Sequence, residues 1–377
     1  MRSPYRLAVL AASLLAGIMP ARADDAVLPG IRHIVVRGST VPGNADLNPY
    51  AIAVAPVSSG QVRQGDILVD NFNNVSNLQG TGTSIVAYTP ATGQVRLIAS
   101  LPQHLPQCPG GVGLTTAMTM LRSGWIIVGS TPSTDGTTRT LGRGCLMVLD
   151  GNGHLAATWT GPNIDGPWGN MAVVDRGSTA TLFVSMAGFG VPGPDVTDPA
   201  TGFPVTVAKS RVLRFDLSIP AGQPPVISAQ TVVADGFGQR ADRDVFLVGP
   251  TGLALAPDGT LYVSDALANR IVAVPDALNR RDSAGTGRTV TQGGLLNRPL
   301  AMLMAPGGHL LVTNAKNGKV VEIDPLAGRQ IGARWIDNDP VQAPPGNGDL
   351  FGIALAPDGN GFYFVQDDTN MLAEATK

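Results

Sequence analysis

A repeated alternation of short apolar runs and tight turns dominates the chain, most clearly in residues 249–274. Residues 253–256 are small and apolar, and residues 261–263 are β-branched and aromatic, as strands prefer. Between them, the Pro-Asp-Gly sequence at 257–259 combines a fixed proline φ with a glycine that accepts a left-handed backbone. The alternation resumes at residues 270–274. This stretch therefore predicts three strands joined by two turns.

The same unit recurs along the rest of the chain. Further copies begin near residues 48, 114, 166, 297 and 350. Each copy is followed by a third strand, and we expect a fourth strand after five of the six, for example at 95–99 and 230–233. Six four-stranded units in series predict an all-β fold, a six-bladed β-propeller, which hides its sheet edges by radial repetition.

The sixth unit ends after three strands, at Lys377. Residues 31–36 have a strand pattern and belong to no other unit. We expect this N-terminal strand to pair with residues 371–375 and to close the ring, because closure removes an exposed sheet edge. The alternative is an incomplete sixth blade with a free N-terminal arm.

The first residues have the pattern of an export signal. Arg2 and Arg6 accompany an apolar run at 7–18, and Ala-Arg-Ala at 21–23 is a typical cleavage site. We expect residues 1–23 to be a signal peptide and residues 24–377 to form a single propeller domain, located in the periplasm or outside the cell. The alternative is a membrane anchor, but the run is short for a span and no later segment approaches that length.

The composition fits a turn-rich β-protein, with 47 Gly and 30 Pro, 44% hydrophobic residues and 14% charged residues. Without the three arginines of the predicted signal peptide, 23 basic residues face 28 acidic ones, a net charge of −5. An acidic chain without a basic cluster is poorly suited to nucleic acid or anionic lipid. We expect a small molecule, a protein or a peptide as the partner, and a monomeric protein.

Loop lengths differ between the two ends of the predicted propeller. The connections between blades, and those from the second to the third strand of a blade, emerge at one end, which we call the working face. Most long predicted loops lie there, including 72–83, 131–143, 187–209 and 235–248. Insertions without function would scatter over both ends, so this bias indicates where the protein works.

The two cysteines are predicted at the working face of blade two. Cys108 lies in the loop that enters this blade, and Cys145 begins its third strand. In an oxidising compartment an even cysteine count favours a disulfide. Two buried thiols are the alternative.

Residues 250–271 have the sequence Pro-x-Gly-Leu-Ala-x-x-Pro-Asp-Gly, then a strand ending in Asp265, then Asn269-Arg-Ile. This pattern resembles the NHL-repeat family, which is grouped with gluconolactonase-like and strictosidine-synthase-like six-bladed propellers. The resemblance is strongest in blade four, looser in blades one to three, and covers nearly all of the chain after the predicted signal peptide. It implies a six-bladed propeller, but members range from binding modules to lyases and lactonases.

Much catalytic chemistry is disfavoured by the positions of the histidines. Only His104 is predicted on the working face, so neither a three-histidine zinc site nor a Ser-His-Asp triad is indicated. The metal-dependent lactonases of the resembled group carry acidic or amide ligands at the blade entries. Asp165, before Gly166-Pro167, matches one such ligand. The equivalent positions in the six blades hold no Asp or Asn: Tyr50, Thr116, Trp168, Thr251, Leu300 and Phe351.

We therefore expect no metal and no cofactor. Calcium is the alternative, because oxygen-bearing side chains end several second strands: Asp70, Asn71, Asp265, Asn314, Asp367 and Asp368. Such side chains more often bond to their own backbone in turns.

The candidate ligand site is the mouth of the propeller channel on the working face. Aromatic side chains there offer contact area, and polar groups offer orientation. The candidate residues are Asn48, Tyr50, Asp165, Trp168, Asn297, Arg298, Asp349 and Phe351. The alternative is that the aromatic residues pack between blades and the polar ones cap turns.

Two functions remain open from the sequence. The first is a secreted binding propeller that recognises a small ligand or a protein partner at the working face. The second is a gluconolactonase-like hydrolase or lyase at the same face, with Asp165 or Asp349 as catalytic carboxylates. Because no complete catalytic constellation is recognisable, we favour binding. Several carboxylates converging at the channel mouth would favour the enzyme.

Overall fold

The computed structural model describes residues 26–377, so the predicted signal peptide and its cleavage site lie outside the described residues. These residues form 25 β-strands and two one-turn 3-10 helices, at Leu28–Gly30 and Thr138–Thr140. In this part of the chain, none of the helices has the length and apolar character needed to span a membrane.

The strands form six antiparallel sheets in chain order. Blade one contains β2 (Leu47–Val54), β3 (Ile67–Asn73), β4 (Ser84–Thr89) and β5 (Gln94–Ser100). Blade two contains β6 (Leu114–Met120), β7 (Ile126–Ser130), β8 (Cys145–Leu149) and β9 (Leu155–Trp159). Blade three contains β10 (Ala172–Asp175), β11 (Thr179–Met186), β12 (Val207–Ser218), β13 (Val226–Asp242) and β14 (Phe246–Val248).

The second half of the ring is more regular. Blade four contains β15 (Pro250–Leu255), β16 (Leu261–Asp265), β17 (Arg270–Val274) and β18 (Arg288–Gln292). Blade five contains β19 (Pro299–Met304), β20 (Leu310–Asn314), β21 (Lys319–Asp324) and β22 (Arg329–Trp335). Blade six contains β23 (Leu350–Leu355), β24 (Gly361–Gln366), β25 (Met371–Thr376) and the N-terminal β1 (His33–Ser39). The predicted six-bladed all-β propeller is confirmed.

The N-terminal strand closes the ring as predicted. β1 pairs antiparallel with β25, from His33 opposite Thr376 to Ser39 opposite Met371. The strand is shifted along the sequence from the predicted 31–36, because Ile31 is fully buried in the core just before the strand begins. Both chain ends therefore lie in one sheet, which covers an edge that would otherwise be exposed.

A buried acid anchors the segment before β1. The backbone N–H groups of Val27 and Leu28 donate to the Glu322 carboxylate of blade five at 2.8 and 2.9 Å. The same carboxylate lies 2.9 Å from Nδ1 of His309, and both side chains are buried. The buried Glu322 carboxylate thus contacts both the N-terminal segment and His309 of blade five, and these hydrogen bonds hold the N-terminal segment against blade five.

Blade three departs from the predicted four strands. The predicted loop 235–248 is wrong, because β13 continues to Asp242 and turns back into β14. Buried side chains continue to alternate along β13 at Phe237, Gln239 and Ala241, which a strand pattern requires. The resulting hairpin extends above the sheet on the working face and carries Phe246 at its turn, with a left-handed φ of 62°.

The predicted disulfide between Cys108 and Cys145 is confirmed, with a Cα–Cα distance of 5.4 Å. It joins the loop that enters blade two to the first residue of β8. Both cysteines are buried.

Inside the channel, the side chain of Asn170 joins three blades by hydrogen bonds. The Asn170 side chain donates to the carbonyls of Leu253 and Met302 and accepts from the N–H groups of the same two residues. A single amide thus connects the innermost strands of blades four and five to the entry of blade three. A cavity of about 290 Å³ on the channel axis is lined there by apolar side chains such as Ile52 and Met118.

Candidate functional site

The mouth of the channel is filled by aromatic side chains. Tyr50 stacks on Phe72 at 4.4 Å between ring centroids and lies 4.0 Å from Phe351. Trp168 stacks on Phe246 at 5.9 Å and meets Phe72 edge-on at 5.7 Å. We call these five residues the aromatic plug. All are at least 96% buried, so the plug closes the channel at the working face.

Three plug residues, Tyr50, Trp168 and Phe351, occupy blade-entry positions, and threonines occupy two of the others. The Thr116 hydroxyl donates to the Trp168 carbonyl, and the Thr251 hydroxyl to the Gly249 carbonyl at 3.2 Å. These hydroxyls are used inside the protein. Of the aromatic members only Tyr50 carries an oxygen, and burial raises the pKa of this phenol, so it stays neutral. The blade-entry positions therefore do not fit a central cation of the lactonase type.

Asp165 and Trp168, which the sequence places three residues apart, lie in different surroundings. Asp165 accepts from Nη2 of Arg211 at 3.2 Å and lines a cavity of about 210 Å³ beside blade three. Burial raises the pKa of the Asp165 carboxyl, while the positive charges of Arg211 and Arg143 oppose the rise. Trp168 is 1% exposed and belongs to the plug.

The other predicted polar residues are spread around the rim. Asn48 has a left-handed φ of 62°, and its N–H donates to the Asn370 side chain of blade six. The Asn297 N–H is held by the Asn314 side chain. Arg298 and Asp349 face two separate groups of residues described below. The structure thus does not bring the eight predicted residues into one cavity.

Arg298 lines a cleft of about 370 Å³ on the working face. The remaining walls come from the loop of blade three at Phe203, the hairpin turn at 240–244, and Lys316 of blade five. We call this the cationic cleft, because Arg240, Arg243, Arg298 and Lys316 face only two carboxylates, those of Asp242 and Asp244.

Both carboxylates of the cationic cleft lie against a single lysine. Lys316 Nζ is 3.1 Å from Oδ1 of Asp242 and also contacts Oδ2 of Asp244. Among the described residues, the ion pairs of these two carboxylates are with Lys316 and not with the three arginines. Arg298 uses Nη1 to donate to the carbonyls of Ala266 and Leu267, at 3.1 and 2.6 Å.

Arg240 is a partly buried cation of the cleft. Its guanidinium lies over the Phe203 ring at 4.5 Å, and its buried Nε has no hydrogen-bond partner within residues 26–377. Burial lowers the pKa of the Arg240 guanidinium, the charge of Arg298 lowers it further, and the charge of Asp242 opposes the fall. An anion bound beside Arg240 and Arg298 would stabilise the charged form of Arg240.

A group of carboxylates lies on the same face at blade six. Asp337 follows β22, Asp349 precedes β23 and Asp368 follows β24, and one potential ligand atom from each lies within 4.8 Å of the others. We call this the acidic triad. Burial raises the pKa of the Asp349 carboxyl to about 7, and the charge of Asp368 adds to the rise. Partial burial and a hydrogen bond with Asp339 raise the pKa of Asp368 to about 6, although its side chain remains exposed.

The triad and the cationic cleft are joined by one loop. In the segment 337–349, the Asn347 side chain lies 3.5 Å from Oδ2 of Asp244. The Gly348 N–H donates at 2.7 Å to the carbonyl of Ala315, next to Lys316. The segment that carries Asp337 and Asp349 therefore also packs against the wall of the cleft.

Four residues were not predicted as site residues, although the loops 187–209 and 235–248 were predicted on the working face: Arg240, Phe203, Phe246 and Asp337. For Arg240 a signal existed, since the alternation along β13 continues through the start of the predicted loop, whereas Phe246 lies beyond β13, in β14. For Asp337 the signal was weak, because its neighbours Asp349 and Asp368 come from other segments of the chain. The expectation of no metal remains a prediction.

No protein-family model matches the chain, and no curated protein matches its sequence. Similar solved structures nevertheless exist. A gluconolactonase from Xanthomonas campestris has a TM-score of 0.55 at 15% identity, with 95% of this chain and 94% of the other covered. The calcium-binding protein regucalcin from Agrobacterium tumefaciens has a TM-score of 0.51 at 14% identity, with 92% and 93% covered.

A third neighbour is the aldose sugar dehydrogenase from Streptomyces coelicolor in its PQQ-bound form, with a TM-score of 0.51 at 16% identity and 91% and 98% coverage. Identities this low establish the fold and not the activity. The neighbours include gluconolactonase-like and regucalcin-like six-bladed propellers, whereas the NHL label itself stays a prediction.

Proposed function

We propose that this protein is an exported binding propeller that holds a small organic anion in the cationic cleft. The observation that carries the proposal is the juxtaposition of Arg240 and Arg298 with Phe203 in a cleft of about 370 Å³. A carboxylate bound in the cleft would lie beside both guanidinium groups and offset their mutual repulsion.

The size and lining of the cleft favour a small ligand over a protein. Its volume lies at the lower end of the range for small-molecule sites. Phe203 is 55% exposed and offers a ring face at the rim, while the cations supply fixed hydrogen-bond donors. We expect a hydroxylated carboxylate of sugar-acid size, because its hydroxyl groups could use the carboxylates of Asp242 and Asp244 as acceptors.

The experiment is calorimetric titration of the purified protein with gluconate, with inorganic phosphate and neutral glucose as comparison probes. Arg240→Ala should weaken gluconate binding at least tenfold, because one charge-assisted contact to a carboxylate is lost. Arg122→Ala removes an exposed arginine at a turn on the opposite face and should change nothing. Equal gluconate binding by both variants, or equal affinity for glucose, would contradict the proposal.

Gluconolactonase-like hydrolysis is a second candidate. It is supported by the neighbouring gluconolactonase structure and by the convergence of Asp337, Asp349 and Asp368 beside the cleft. Of the two carboxylates predicted as catalytic, Asp349 fits better, because Asp165 is occupied by Arg211. The test is a lactone panel with Ca²⁺ or EDTA. Turnover that Asp349→Asn abolishes and Arg122→Ala preserves would establish a hydrolase, and absence of turnover would leave binding alone.

A further inference from the structure

We propose that Asp337, Asp349 and Asp368 form a calcium site at the blade-six edge of the working face. The site goes beyond the binding function proposed for the cationic cleft and shares no residue with it. It also uses none of the six blade-entry positions.

The geometry of the triad fits one ion. Ligand oxygens on opposite sides of Ca²⁺ lie about 4.6–5.2 Å apart, given bond lengths of about 2.3–2.6 Å. The three potential ligand atoms all lie within 4.8 Å of one another, so a single ion between them could contact all three. The residues come from three connections on one face, which the blade architecture holds together.

An unused oxygen inside the triad is the second observation. Asp349 is 2% exposed, and its Oδ2 has no hydrogen-bond partner in the described part of the chain. Its Oδ1 accepts from Nε2 of Gln342 at 2.7 Å. A buried carboxylate oxygen without a partner is costly, and a cation would remove that cost.

The charge of the triad is not neutralised by the protein. Asp337 accepts from the Gln366 side chain at 2.8 Å, so its partner, like that of Asp349, is a neutral amide. Within residues 26–377, no lysine, arginine or histidine forms an ion pair with any of the three carboxylates. The amides orient the carboxylates and leave their negative charge for an ion.

The donor set selects the kind of ion. The triad offers oxygen and contains no cysteine or histidine, which favours a hard cation over zinc. Asp368 is exposed, so water can complete the coordination shell. Three carboxylates on irregular loops suit Ca²⁺, which accepts irregular geometry with six to eight ligands, better than Mg²⁺, which requires a near-ideal octahedron.

The experiment is a calorimetric titration of the full-length protein with CaCl₂ after dialysis against EDTA, together with thermal unfolding with and without Ca²⁺. We expect one ion per chain and a higher melting temperature with Ca²⁺, since a ligand that binds the folded state stabilises it. Asp349→Asn keeps the shape but removes a charge and should weaken Ca²⁺ binding at least tenfold.

Two further variants keep the test decisive. Asp368→Asn changes an exposed residue, so it should fold even if Asp349→Asn does not, and it should also weaken binding. Asp258→Asn alters a turn on the opposite face and should bind Ca²⁺ like the parent protein. No binding at millimolar Ca²⁺, or equal binding by Asp368→Asn and the parent, would overturn the site. Neither result bears on gluconate binding, which is measured separately in EDTA.

Discussion

The centre of the working face contains aromatic side chains, whereas its rim, formed by the cationic cleft and the acidic triad, contains charged ones. At the axis, the five rings of the aromatic plug bury their surfaces against one another and against the blades. At the rim, the cationic cleft holds Arg240 beside Arg298, and the acidic triad holds three carboxylates together. Packing at the axis stabilises the fold, whereas like charges kept close at the rim cost stability.

This difference indicates which region carries function. A fold gains nothing from holding like charges together unless something of opposite charge binds them, and perturbed charges cluster at functional sites for this reason. The aromatic residues that the sequence suggested as ligand anchors instead close the channel. Binding is therefore expected at the rim, and changes at the axis should act on stability alone.

The largest expected effect follows from removing the centre of the plug. Trp168→Ala should lower the free energy of unfolding by about 3–5 kcal/mol, because a fully buried ring is lost and a cavity remains. Phe203→Ala, which removes a 55% exposed ring at the rim, should cost less than about 0.5 kcal/mol. Urea unfolding of both variants measures the difference. If Trp168→Ala were as stable as Phe203→Ala, the axis would not be the structural region.

The disulfide stabilises a loop of the rim and should have the next effect. Cys108 and Cys145 are 37 residues apart in sequence, and closing such a loop contributes roughly 3–4 kcal/mol in the chain-entropy model. Replacing both cysteines by alanine should lower stability by that order while leaving gluconate and Ca²⁺ binding intact, since neither site contains them. Loss of both binding activities in a variant that remains folded would contradict the separation of the two regions.

The parts of the fold that could be predicted from the sequence are those whose conformation is determined by neighbouring residues. Blade four follows its pattern closely, because the Pro-Asp-Gly turn at 257–259 and the alternation around it determine conformation within a few residues. The closing strand β1 could be predicted because the sixth unit has only three strands of its own and an exposed sheet edge is unfavourable. Phe246 could not be placed in this way, since an aromatic residue with a φ of 62° is disfavoured locally and is held there by the plug.

The candidate site was predicted less completely, and for a physical reason. Arg298 and Asp349 were recognised as rim residues, but their partners come from distant segments. Arg240 lies on a hairpin of blade three, and Asp337 lies in the connection before blade six. Such pairs depend on how loops pack in the finished ring, and no periodicity in the chain encodes that arrangement.

The smallest expected effect concerns Asp70, a buried carboxylate next to the plug residue Tyr50. Asp70 is fully buried behind Tyr50, accepts from the Ala51 N–H at 2.8 Å, and has a second oxygen without a partner among the described residues. Burial raises the pKa of the Asp70 carboxyl well above its ordinary value, and the single hydrogen bond only partly opposes this. The folded protein therefore keeps a proton on Asp70 at a pH where the unfolded chain has lost it.

The proton held by Asp70 makes the stability of the folded protein depend on pH. Above the unfolded pKa of about 4, the folded state binds more protons than the unfolded state, so this group makes stability fall as pH rises towards its folded pKa. Asp70→Asn mimics the protonated form, so between pH 5 and pH 8 its stability should fall less steeply than that of the parent, and the variant should be the more stable of the two at pH 8. Thermal unfolding across this range measures both. If the variant instead kept the parent's pH profile but lost gluconate binding, Asp70 would be functional, and the axis could no longer be regarded as purely structural.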